Sequence, residues 1–264
     1  MRPLVLLLAL VAVPAQAVEL TGRMEQGGLV IGQTRPGTEV RLDGRDVPLD
    51  DQGHFVLGFS RDAAATAHLQ VGGQSQTLAV TKRDWQIQRI DGLPPAKVTP
   101  DPAQLARITE ENRQVAEARK KVTTPATFLD GLVTPAEGVI SGVFGSQRVL
   151  NGEARAPHSG TDVAAPVGAP VHAVAAGTVT LAHPDMYFTG QTVMIDHGLG
   201  VQSVYAHLSR TDVKLGQTVG QGQVIGAVGA SGRATGPHLH WGLSWQDVRL
   251  DPQTVSAALP KPTQ

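Results

Sequence analysis

Two short segments of this 264-residue chain carry side chains suited to holding a metal: His158 to Asp162, reading HSGTD, and Pro237 to Gly242, reading PHLHWG. On a β-strand, residues i and i+2 project to the same face about 6.6 Å apart, so His238 and His240 can line one cleft. The chain has no cysteine. A zinc ion would therefore take imidazole nitrogens and carboxylate oxygens at about 2.0–2.2 Å, and a catalytic zinc keeps three such ligands and one open position. Two histidines and one aspartate meet that count. A third segment, YAHL, places His207 about thirty residues before the pair. Each pattern alone is weak, because a His and an Asp four residues apart arise by chance and His-x-His is ordinarily two outward-facing polar residues. Spacing leaves open which histidine of the pair would bind metal.

The combination is specific. HSGTD, YAHL and GASGRATGPHLHWGL, in this order and over this distance, resemble the lysostaphin-like zinc metalloendopeptidases that cut peptide bonds in bacterial peptidoglycan. The resemblance runs from about Gly138 to Pro252 and includes FGSQR, APVGAPVHAVAAGTV and IDHGLG. It implies that His158, Asp162 and His240 are zinc ligands, one zinc per catalytic domain, and that His207 and His238 are catalytic histidines beside the metal. Zinc with one carboxylate and two neutral imidazoles keeps a net charge of +1, so bound water is acidified toward a pKa of about 7 and becomes the nucleophile. The developing oxyanion can be stabilised by the metal and an imidazolium, and the leaving amine needs a proton. The residue types leave open which of His207 and His238 acts as base.

The implied activity is that of an exported zinc endopeptidase acting on peptidoglycan stem-peptide cross-links. D,D and glycyl bonds are both served by such enzymes. The alternative from another class is a catalytically silent relative that binds cell wall or activates another hydrolase; the ligand set here is complete. A zinc peptidase with a protein substrate would share every site residue and differ in groove shape.

The other histidines carry structural expectations. His54 and His68 fall in strands, His172 in a strand after Pro170, His183 in a loop before Pro184, and His197 in a glycine turn where a bond to the backbone explains it. By period-two alternation Tyr205 would share the face of His207, either supporting the site or filling the core. HPDMYFTG, at His183 to Gly190, is a candidate groove wall, with the glycine-rich loop Gly229 to Gly236 beside it.

The elements that must position these residues are mostly strands. Short alternating runs from Val18 to Gly92, with turn signals every eight to ten or so residues, predict a small β-sandwich-like domain. Four prolines between Pro94 and Pro102 mark a stiff linker. Good helix formers follow to Val122, with Asp101 as cap and Leu105, Ile108, Val115 and Val122 as a thin apolar stripe. From residue 128 to 252 glycine-punctuated strands return and hold seven of the nine histidines, and residues 253–264 read as a tail. The expected class is all-β: a small N-terminal domain, a helical linker at 93–127 and a two-sheet catalytic domain. No chemistry sits upstream of residue 128. The helix is therefore either a solvated spacer or lies against a flanking domain, and the upstream segments are expected to target the peptidase or to restrain it across the cleft until a regulatory protein partner releases it.

Arg2, the apolar run Leu4 to Val13 and Ala15-Gln16-Ala17 predict a secretory signal peptide cleaved after Ala17, hence a periplasmic or secreted protein. Ten apolar residues are too few for a membrane span, which takes about 20. With 22 basic against 23 acidic side chains, the chain has no field that would gather nucleic acid or anionic lipid.

Overall fold

A computed structural model of the protein describes residues 18–91 and 102–259. The expected signal peptide, the proline-rich linker and the helix cap Asp101 lie outside these residues. Among the described residues no helix is long and apolar enough to cross a membrane. The architecture is mostly β, the class the sequence predicts.

Two small antiparallel sheets make up most of the N-terminal part. One orders Leu20–Gly22, Leu29–Gln33 and His54–Gly58; the other orders Arg45–Asp46, Val40–Leu42, Thr66–Val71 and Gln74–Ala79. In Thr66–Val71 alternation is plain, with Ala67 and Leu69 buried between exposed neighbours, as a half-buried strand requires. His54–Gly58 instead buries Phe55, Val56, Leu57 and Gly58 in succession. Its second face has a partner: Trp245 and Leu250 of the C-terminal part lie against Gly58. One apolar core accordingly runs from Leu29 and Phe55 through Trp245 and Leu250 to Val255.

Gln147–Leu150 and Glu153–Ala154 form a three-stranded sheet with Ile87–Ile90, and the other C-terminal strands form one branched ten-stranded sheet. Its main path runs Thr218–Val219, Gly177–Met186, Gly190–Asp196, Val201–Thr211, His238–Trp245, Thr161–Ala164 and Val139–Gly142. Val224–Val228 branches from Val201–Thr211 and carries Pro170–His172, while Val248–Leu250 adds to His238–Trp245. A short helix not anticipated in the sequence, Pro252–Ala258, closes the described chain. Asp251 caps it by accepting from Gln253 N at 3.0 Å, and Val255 and Leu259 anchor it in the core.

The linker helix spans Pro102–Arg119 and packs on Gly177–Met186. The expected apolar stripe does not bury as a unit: Leu105 and Val122 stay exposed, while Val115 and Ala118 meet Leu181, Met186 and Met194. Polar groups dock the rest. Buried Glu111 accepts from Tyr187 N at 2.8 Å and Arg107 at 2.7 Å, Gln104 meets the Tyr187 hydroxyl at 3.0 Å, and Gln202 donates to the helix-end carbonyl of Ala118 at 2.7 Å.

Candidate metal centre

Three neighbouring strands bring most of the site together. Asp162 pairs with His240 and Ala164 with His238, so these residues share one sheet face, and Gly142 on the edge strand pairs with Asp162. A Cβ at Gly142 would come within 2.5 Å of Asp162 Oδ2, so only glycine leaves the carboxylate its place. On the other side His240 pairs with Ala206, not with His207. Regular alternation would send His207 to the opposite face. A β-bulge prevents this: the register shifts between Gln191 and Val193 opposite this point, and His207 adopts a left-handed φ of 62°. The same irregularity separates His207 from Tyr205, which is wholly buried and bonds Val174 N at 2.8 Å. Tyr205 belongs to the core, and the expected shared face does not exist.

Three donor atoms converge. His158 Nε2 lies 3.1 Å from both Asp162 Oδ1 and His240 Nδ1, and His240 Nδ1 lies 2.9 Å from Asp162 Oδ1. His158, Asp162 and His240 can thus each offer one atom to a single ion. Tetrahedral zinc with bonds of about 2.0–2.1 Å holds its ligand atoms about 3.3 Å apart, so this donor set fits the ion with a small expansion. His207 and His238 stand beside it: their ring centroids are 4.7 Å apart, His207 is 6.1 Å from His240, and His238 Nε2 is 3.8 Å from Asp162 Oδ1.

Backbone carbonyls select the tautomers. Nδ1–H of His158 donates to Val143 O at 3.0 Å, that of His207 to Ser231 O at 2.8 Å, and that of His238 to Gly236 O at 2.8 Å. Each bond leaves a lone pair on Nε2, which in His158 faces Asp162 and His240 and in the other two is able to accept a proton. Burial drives the His207 imidazole down to about 4, opposed by its bond to Ser231, so the ring is neutral at pH 7. His240 is likewise lowered, by burial first, against the pull of Asp162. Burial works to raise the Asp162 carboxyl, but the neighbouring imidazoles of His158 and His240 outweigh it and hold the group well below the usual carboxylate range. The site is partly sheltered yet reachable from solvent, with side-chain exposures of 23% at His158, 22% at Asp162 and 11% at His240.

The two candidate groove segments meet next to His207. Arg233 N donates to Phe188 O at 2.9 Å, His207 N donates to Thr189 O at 2.8 Å, and Ser231 Oγ bonds Leu208 O at 2.7 Å and Gln191 N at 2.9 Å. The remaining histidines stand apart. His172 meets Gly222 O at 2.9 Å, and His54 bonds Asp50 at 2.9 Å. His183 is not in a loop but in the strand Gly177–Met186, where its Nδ1 accepts from Asp185 N at 3.1 Å. His197 is fully buried, bonding Ala176 O as expected and Ser203 Oγ as well, each at 2.7 Å. The carbonyls of Val143, Ser231 and Gly236 escaped sequence reading, since a carbonyl is common to every residue and carries no signal of its own.

A β-sheet cleft with an accessible His/Asp/His donor set and two further imidazoles beside it is a metallohydrolase type of site. The model of peptidase family M23 matches residues 156–252. A solved structure of a candidate M23 peptidase from Pseudomonas aeruginosa superposes with a TM-score of 0.70 at 30% identity, covering 90% of this chain and 97% of that one. The chain belongs to peptidase family M23, and the lysostaphin-like resemblance holds. Among curated relatives, the peptidoglycan DD-endopeptidase ShyA of Vibrio cholerae is 48% identical over 90 residues, 33% of this chain and 20% of its own. The DD-carboxypeptidase/endopeptidase Mpg of Neisseria meningitidis serogroup B is 46% identical over 105 residues, 40% of this chain and 24% of its own. The match thus spans about a fifth to a quarter of these relatives' length.

Proposed function

We propose that the chain is an exported zinc endopeptidase hydrolysing peptide bonds of bacterial peptidoglycan at the stem-peptide cross-links. His158, Asp162 and His240 hold the ion, and His207 and His238 are the catalytic histidines. The observation that carries this reading is the convergence of the three donor atoms within 4.8 Å, with two further imidazoles at their side. A bound zinc would supply Lewis acidity toward the scissile carbonyl and an acidified water. Asp162, ionised by its surroundings, supplies the negative charge a dication needs. His207 and His238 each present a lone pair on Nε2, able to accept a proton from the attacking water and return it to the leaving amine. The 183–190 and 229–236 segments wall the groove next to His207. The two relatives carry DD-peptidase names, which favours the D,D cross-link over a glycyl bond.

The test is digestion of purified peptidoglycan by the mature chain, with mass spectrometry of released fragments. Expected are fragments cut at D,D cross-links, lost on chelation and restored by zinc. Absence of release by folded, zinc-loaded protein would leave the silent wall-binding or hydrolase-activating relative as the better reading. A start at Val18 in exported protein would support the expected cleavage.

A further inference from the structure

His158 differs from the rest of the donor set in standing outside the strands, between Glu153–Ala154 and Thr161–Ala164. Three of its hydrogen bonds away from the donor set go to one turn, residues 143–146. Its N–H donates to Ser146 O at 2.7 Å, its carbonyl accepts from Gly145 N at 2.9 Å, and Nδ1–H donates to Val143 O at 3.0 Å. Whatever holds that turn also holds the imidazole.

The turn is held from the N-terminal part of the chain. The Trp85 indole lies against Gly145, where a Cβ would fall 2.2 Å from Trp85 Cε3, and makes an edge-to-face pair with Phe144, ring centroids 5.8 Å apart. Gly145 has a φ of 78°, so the position excludes a side chain both by conformation and by this contact. Arg61 donates through Nε to Gly145 O at 2.8 Å, and its guanidinium lies 5.3 Å from the indole centroid. On the same indole Arg83 lies at 4.6 Å and ties it to Asp251 at 2.9 Å. Immediately after Trp85, Gln86 O accepts from Gln147 N at 2.9 Å, and Ile87–Ile90 pairs in parallel with Gln147–Leu150. Of this brace only Asp251 falls within residues 156–252, where the family model matches.

We propose that Trp85, packed with Arg61 and Arg83, is a positioning residue for the metal ligand His158, so that the N-terminal β-domain sets the affinity of the metal site. The proposal rests on His158 being a ligand. Its logic is that a tautomer and ring orientation fixed by Val143 O are only as firm as the turn presenting that carbonyl, and support of a ligating histidine is typically worth about 10–100-fold in metal affinity. Trp85 acts one step further out, so about 10-fold is expected for its removal.

The test measures zinc affinity of the full mature chain by competition with a chromophoric chelator, zinc alone being the probe, alongside thermal melting of the metal-free protein. Trp85→Ala should bind zinc about 10-fold more weakly, and Trp85→Phe, which keeps a flat ring on Gly145, should stay within about threefold of wild type. Arg61→Met, which removes the bond to Gly145 O with less lost packing, should weaken binding in the same direction and keeps the test decisive if Trp85→Ala fails to fold. A cobalt-loaded Trp85→Ala protein should show an altered ligand-field spectrum. Should the variants melt lower yet bind zinc as wild type does, Trp85 is merely structural and the proposal falls. His158→Ala separates the two readings: full zinc affinity there would refute the ligand assignment itself, whereas its loss together with unchanged Trp85 and Arg61 variants would refute only the brace.

Discussion

Asp162, His240, His238 and His207 stand on strands of one sheet, whereas His158 stands on an irregular segment held by a turn. For the first three, spacing is a property of the ladder, where cross-strand partners sit about 4.5–5.5 Å apart, and for His207 of a bulge in it; every strand concerned is flanked by others. For His158, orientation comes from three bonds to residues 143–146 and from the N-terminal side chains packed on that turn. The site is therefore rigid on one side by local architecture and on the other by long-range contact. The difference teaches that a donor set legible within a hundred residues can depend for its geometry on residues well outside them.

Removing the proposed sheet-borne ligands should give the largest effect. Asp162→Ala and His240→Ala are expected to lose stoichiometric zinc by elemental analysis while keeping the fold, since one of three protein ligands disappears from a scaffold that stands without it. Retention of a full equivalent at wild-type affinity by either would end the assignment. The next contrast lies within the sheet-borne group. His207→Ala and His238→Ala should retain zinc and lose about 10²–10⁴-fold in turnover on peptidoglycan fragments, the usual contribution of proton transfer. Near-normal turnover would remove that histidine from catalysis.

Smaller effects belong to the core behind the sheet. His197 is held neutral by burial, its pKa lowered to about 4 against an ordinary 6.5. The unfolded chain binds that proton more tightly, so the stabilisation is complete above about pH 6.5 and is lost as pH falls from there toward 4, by at most about 1.4 kcal/mol per pH unit. Urea midpoints across this range should fall more steeply for wild type than for His197→Gln; parallel curves would contradict the assignment. Tyr205→Phe leaves Val174 N–H without its 2.8 Å acceptor and should cost about 1–2 kcal/mol in urea unfolding with turnover unchanged. A selective loss of turnover would return Tyr205 to the site, against its wholly buried position.

Much of the chemistry was written in residue types. With no cysteine in the chain, only imidazole and carboxylate remained as ligands for zinc, and the i, i+2 spacing of His238 and His240 on a strand put both on one face, as observed. Turn residues and alternation likewise exposed Val40–Leu42, His54–Gly58 and Thr66–Val71 as strands. Alternation failed where the ladder is irregular. At His207 the bulge reverses the face that period two assigns, and the left-handed backbone producing it is specified by register between strands rather than by neighbours in sequence. The helix shows a different limit: its apolar stripe was too thin to name a partner, and a buried carboxylate, Glu111, reaching Tyr187 N decided where it docks. The seating of His158 was beyond local reading altogether. Periodicity reports which side of an element meets the core, because burial favours apolar residues there. It carries no information on which distant backbone carbonyl orients a ligand, nor on a tryptophan about sixty residues upstream that holds this carbonyl's turn in place, since both follow from contacts that exist only once the chain has folded.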